Sequence, residues 1–199
     1  MRAIRLSALI LTVLGVPGGG ALAATVNDIH QAVAGSENMT GFDQTDIAQS
    51  YTAVSGNSVG AGIRLGAGSA EVTATLSLWS GLPGAGGQKL AEGQGRGGAR
   101  DWLDVFWAPV VTEIGGTFVI LMTGDASGDI AGSPSNVYAG GHLFSNAGFQ
   151  RFPSYDFAFR TFTDPDFKAV PAVPAAPSGL LLLSGVLAGF STRVRRGAR

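Results

Sequence analysis

The chain of 199 residues has no cysteine. Disulfide staples and thiol chemistry are therefore excluded, and the core must be held by packing alone. Charge is scarce, at 14% of residues, and there are only two histidines, His30 and His142. Neither stands in a spacing that supplies a zinc site or a Ser-His-Asp triad, so both read as surface or loop residues. The glutamates at 37, 71, 92 and 113 are scattered, and a paired-carboxylate glycosidase finds no support in them. The glycine-rich stretch 84–98 has no Gly-Lys-Ser/Thr, which argues against a phosphate loop; it reads as a mobile surface loop. Between 24 and 169 no segment keeps a helical period for three turns, and Asn27–Ala34 reads at most as one short turn.

What is present lies first at the ends. Arg2 and Arg5 precede an apolar run from Leu6 to Val16, then Pro17-Gly18-Gly19-Gly20 and a small-x-small site at Ala21-Leu22-Ala23. This is the pattern of a secretory signal peptide over 1–23, with cleavage by signal peptidase before Ala24. At the other end, the proline-rich segment 164–177 leads into an uncharged stretch, Ser178–Thr192, and closes on Arg193, Arg195, Arg196 and Arg199. As a helix this stretch spans roughly 22 Å, short of a ~30 Å hydrocarbon core. The terminal arginines would hold the end on the cytoplasmic side. A permanent tail anchor and a transient sorting helix over 178–199 both fit.

Proline box, short apolar helix and arginine end, in that order, resemble the PEP-CTERM sorting signals of exopolysaccharide-producing diderm bacteria. The box here, Val173-Pro174-Ala175-Ala176-Pro177, has no glutamate and is closer to the variant reading Val-Pro-Leu-Pro-Ala. The resemblance implies an exosortase-type processing enzyme as partner and only transient association with the inner membrane. It also implies removal of Arg193–Arg199 and a destination at the cell surface or in the extracellular matrix.

Without the two ends, fourteen acids face seven basic residues, a net charge of about −7. That argues against nucleic acid or anionic membrane as a partner. The interior alternates with period two: Val72, Ala74, Leu76 and Leu78 interleave with Thr73, Thr75 and Ser77. Further strands are expected at 49–54, 59–65, 103–107, 117–123 and 156–163. Turns are expected at 80–84, 115–116, 127–129 and 140–141. The fold class expected is all-β, an antiparallel sandwich like a jelly roll, over 43–163, with 24–42 as a lead-in.

The order of Gln49-Ser50-Tyr51-Thr52-Ala53, Ser80-Gly81-Leu82-Pro83-Gly84, the strand from Trp102, Gly116-Thr117-Phe118-Val119-Ile120-Leu121, the Tyr138–Gly141 segment and Asp156–Thr161 is similar to a family of extracytoplasmic β-sandwich domains with varied C-terminal anchors. The similarity implies a shape like that of carbohydrate-binding modules and no particular ligand.

Aromatic rings carry the binding expectation, because a sugar stacks its C–H face on them. Trp79, Trp102, Tyr138 and Tyr155 are the candidates, with Phe149 and Phe152 beside them. Trp107, Phe118, Phe157 and Phe159 read as core, and Arg160 as the partner of an acid. Asp125 and Asp129 flank one glycine-containing loop that could begin a calcium site, with Asp43 and Asp46 as a second acidic pair. Three functions follow: a non-catalytic surface or matrix protein associated with exopolysaccharide or biofilm, a structural or adhesive sandwich with a protein partner, and, with least support, a secreted hydrolase.

Overall fold

The computed structural model describes residues 25–169. The signal-peptide residues Ala21, Ala23 and Ala24 and the sorting residues from Val173 to Arg196 lie outside these. Thirteen strands follow in order: β1 Val26–Gln31, β2 Ser36–Gly41, β3 Ile47–Thr52, β4 Asn57–Arg64, β5 Val72–Trp79, β6 Lys89–Gly97, β7 Trp102–Val111, β8 Thr117–Gly124, β9 Asp129–Ser133, β10 Leu143–Ser145, β11 Gln150–Phe152, β12 Asp156–Phe157 and β13 Phe159–Thr163. The fold is all-β with antiparallel sheets, consistent with a β-sandwich. Among the described residues there is no α-helix, and so none long and apolar enough to cross a membrane.

The strands form a four-stranded sheet β1-β13-β4-β7, a six-stranded sheet β11-β10-β3-β8-β5-β6 and a three-stranded sheet β12-β9-β2. The core gathers alternate residues of the two larger sheets: Ile63, Leu103, Val105 and Phe159 from one, Tyr51, Leu76, Leu78, Ile120 and Met122 from the other. The β5 alternation places Val72, Ala74, Leu76 and Leu78 inward at 0–1% exposure, as its period requires.

Four expectations are corrected. The lead-in 24–42 is part of the fold: β1 pairs with β13 and β2 with β9. Asn27–Ala34 is not helical but mostly strand β1, because its backbone completes the edge beside β13. The stretch 84–98 is not a mobile loop. A short 3-10 turn at Pro83–Ala85 leads into β6, which pairs with β5 from Val72↔Gly97 to Trp79↔Lys89. Finally, 156–163 is two strands. Ala158 donates to Ala131 of β9, and its carbonyl accepts from Arg64 of β4, so the chain changes sheets there.

Tyr51 is 1% exposed, and burial, reinforced by the charge of Asp28, pushes its phenol well above the ordinary value near 10. The folded state therefore keeps a proton that the unfolded chain releases from about pH 10 upward. The stability tied to this group is intact below that pH and is lost as pH rises toward the folded pKa. Thermal melts should show Tm falling above about pH 10, with a shallower fall in Tyr51→Phe; identical slopes would remove Tyr51 as the cause.

Candidate functional site

The outer face of the four-stranded sheet is built around glycines. Gly60 and Gly62 of β4 lie between β13 and β7. A Cβ at Gly60 would stand 2.6 Å from the Val105 carbonyl and 2.8 Å from the Phe106 ring; one at Gly62 would collide with the Asp104 carboxylate. With those side chains missing, groups from β13 and β7 meet across β4. Arg160 grips Asp104 with two hydrogen bonds, Nε to Oδ1 at 2.8 Å and a terminal guanidinium nitrogen to Oδ2. Its guanidinium lies 4.4 Å from the Trp102 ring centroid, and His30 meets that ring edge-on at 5.3 Å. One step along, Phe162 and Phe106 pack at 4.9 Å. Phe162 is covered, but Phe106 is 55% exposed.

Trp102, Asp104 and Phe106 share this face because strand side chains alternate, and the two aromatic positions lie roughly 13 Å apart along β7. The face is thus a low layer of planar groups: indole, guanidinium–carboxylate pair and phenyl. Charge-assisted bidentate pairing fixes the middle of the layer. The expected acid partner of Arg160 is Asp104.

The four aromatic candidates fall in four different places. Trp102 lies in the layer just described. Trp79 stands on the outer face of the six-stranded sheet, where it is partly buried with Leu82 and Phe149 over Ala48, Val119 and Phe144. Its Nε1 donates to Ser77 Oγ at 2.8 Å, so it covers a small second core rather than standing free. Tyr138 is half-buried. Its hydroxyl accepts from Thr52 N at 3.1 Å, and its ring meets Phe159 edge-on at 5.1 Å. Burial raises its phenol pKa, against the lowering effect of the Thr52 backbone bond; it pins a loop. Tyr155 is 41% exposed and meets Phe152 edge-on at 6.1 Å. Both line a groove of about 410 Å³ between β2 and the β10–β11 hairpin.

Of the two carboxylates of the calcium expectation, the Asp125 group is taken up by a backbone donor. Asp125 Oδ2 accepts from Thr73 N at 2.8 Å. The Asp129 carboxylate lies over Gly41 and Gly68. Asp46 of the second acidic pair accepts from Gly148 N at 2.7 Å. Among the described residues no group of three or more His, Cys, Asp or Glu stands where it could hold a metal ion.

The sequence does not single out Phe106 or Asp104; His30, expected at the surface or in a loop, is exposed on β1. The alternation from Trp102 through Asp104 to Phe106 was the available signal, but an apolar run on both faces concealed which side faces out. Compared with protein-family models, curated proteins and solved structures, the chain matches none.

Proposed function

We propose that this chain is an exported, non-catalytic surface or matrix protein whose β-sandwich, jelly-roll-like in outline, associates with extracellular polysaccharide. In this reading the 1–23 segment directs export, and the proline box, apolar stretch and arginine end direct exosortase-type sorting.

The observation that carries the binding half is the layer on the four-stranded sheet. A sugar ring needs an aromatic plane for its C–H face and fixed polar groups for its hydroxyls. Phe106 and Trp102 offer the first, and the Arg160–Asp104 pair between them offers the second. Because that carboxylate and guanidinium are bound to each other, they form a hydrogen-bonding surface rather than a free acid and base. Because Gly60 and Gly62 carry no side chain, the Asp104, Arg160, Phe106 and Phe162 groups lie low over β4 and together form the surface offered to an extended polymer.

A second reading, an adhesive sandwich with a protein partner, draws on exposed Val54, Val111 and Ile114, at 58%, 60% and 69%. They lie on neighbouring loops joined by hydrogen bonds from Gly115 N to Ala53 O and Thr112 N to Gly56 O.

Affinity electrophoresis of the full chain through gels containing neutral exopolysaccharide separates the two. Retardation should occur, and Phe106→Ala should weaken it about tenfold, as loss of one stacking ring costs about 1–1.5 kcal/mol. No retardation with any polysaccharide would overturn the glycan reading in favour of the protein-binding one.

A further inference from the structure

The Tyr155 groove shares no residue with the sheet-face layer, and its chemistry is different. Its polar lining comes from Thr40, Gln44, Ser145 and Asn146, and its rings are Phe152 and Tyr155. None of its lining residues is an acid, a lysine, an arginine or a histidine. Within the described residues, no protein partner takes up the side chains of Thr40, Gln44 or Ser145, while Asn146 uses only its amide nitrogen, toward Gln150 at 3.4 Å. Amides and hydroxyls therefore converge on a cavity of about 410 Å³ with an aromatic wall. Such size and lining suit a small polar ligand without charge.

The rim is shaped by left-handed backbone. The described residues include four non-glycine residues at positive φ: Asp46 at 55°, Arg100 at 64°, Asn146 at 68° and Phe149 at 55°. Three of them belong to the two turns bordering the groove, β2–β3 and β10–β11. The turns are tied together by the bond from Gly148 N to Asp46 Oδ2 at 2.7 Å. Asp and Asn adopt left-handed backbone readily, whereas at a bulky residue such as Phe149 it is costly, of order 1 kcal/mol or more, and persists where surrounding structure enforces it. Here it fixes Gln44 and Asn146, which are 102 positions apart, on one rim.

We propose that this groove is a second saccharide site, specific for neutral sugar units, so that one domain holds two carbohydrate segments. The proposal rests on the reading that the protein handles polysaccharide, but on different residues. β7 packs against β6, one edge of the six-stranded sheet: a Cβ at Gly95 of β6 would stand 2.8 Å from Asp104 O and 3.0 Å from Leu103. The groove lies at β10 and β11, the opposite edge. Four to five strand spacings, roughly 20–24 Å, separate them across the sheet. Two such sites make the domain a cross-link between chains, or a bivalent grip on one, and avidity then exceeds either affinity.

The test is NMR titration of the full chain with neutral gluco-, galacto- and N-acetylglucosamine oligosaccharides, and with a polyuronate oligomer. Signals of the Gln44 and Asn146 side-chain amides report the groove, and Phe106 ring signals report the sheet face. At least one neutral oligomer should shift the amides saturably; the polyuronate should not. Gln44→Ala and Tyr155→Ala, both at exposed positions that leave the core intact, should weaken the groove response at least tenfold. Phe106→Ala should leave it unchanged. Amides that stay still while the Phe106 signals move would overturn the groove site and leave the sheet-face reading standing. Amide shifts without sheet-face shifts would do the reverse. Equal response to polyuronate would overturn the neutral specificity, and silence at both would overturn both readings.

Discussion

Asp156→Ala should destabilise the protein by about 4 kcal/mol, the largest loss expected from a single polar substitution here. The carboxylate is 0% exposed. Its Oδ2 accepts from the backbone N–H groups of Val137 and Tyr138, each at 2.9 Å, and its Oδ1 from Gln49 Nε2 at 3.2 Å. Gln49, also 0% exposed, passes the network on: its Oε1 accepts from Phe157 N at 3.0 Å. Alanine would leave the part-buried Val137 and Tyr138 N–H groups without their acceptor and Gln49 Nε2 with only its bond to Ser50 O at 3.1 Å, and each unsatisfied buried group costs about 1–3 kcal/mol. The loop 134–142, which carries Tyr138, would lose its tie to β12. Asp156→Asn keeps the shape but turns an amide nitrogen toward donors, and should cost about 2 kcal/mol. Urea unfolding measures both. A loss below 1 kcal/mol for the alanine variant would mean that the loop is held by something else.

Gly95→Val should cost about 3 kcal/mol, for a steric reason. Gly93, Gly95 and Gly97 all lie on the inner face of β6. The backbone carbonyl 2.8 Å from a Cβ at Gly95 belongs to Asp104 and cannot swing aside, and Val105 closes the space at 3.1 Å. Any side chain at Gly95 forces β6 away from β7 and with it the strand that bears Trp102 and Phe106. Gln94→Val, one residue away on the exposed face, should change stability by no more than about 0.5 kcal/mol. Equal midpoints for the two variants in a denaturant titration would show that β6 and β7 are not in close contact.

The same strand explains why part of the fold was hidden. In β5 the inward positions are Val, Ala and Leu, so hydropathy alternates and the strand is plain. In β6 the inward positions 93, 95 and 97 are glycines, which carry no hydropathy, although Glu92-Gly93-Gln94-Gly95-Arg96-Gly97 is as regular a period of two. Closeness of backbone, not apolar surface, dictates those residues. β1 and β2 were hidden for another reason: edge strands exposed on one side carry polar residues such as Asn27, Asp28, Glu37 and Asn38. At the candidate sites, Trp102 and the need of Arg160 for an acid were legible. The choice of Asp104, 56 positions away, was not, because it depends on Gly62 standing between them. Trp79 misled because a polar hydroxyl face can still be roofed by loops, here those bearing Leu82 and Phe149. The groove was the least legible, since its two rims come from turns brought together only by the folded chain.

The pairing of β1 with β13, with Val26 opposite Thr163, has a mechanical consequence. The first and last strands lie side by side and run in opposite directions, so both ends of the domain emerge together. Tension applied between those two ends opens the β1–β13 ladder one bond at a time, like a zipper, because antiparallel bonds lie across the strands. Tension entering at Thr163 and resisted by a polymer gripped elsewhere loads β13 along its length, and β1 and β4 resist on both flanks. The domain should therefore yield at low force when stretched end to end and hold at much higher force as a tethered grip, a contrast that single-molecule pulling in the two geometries reads directly.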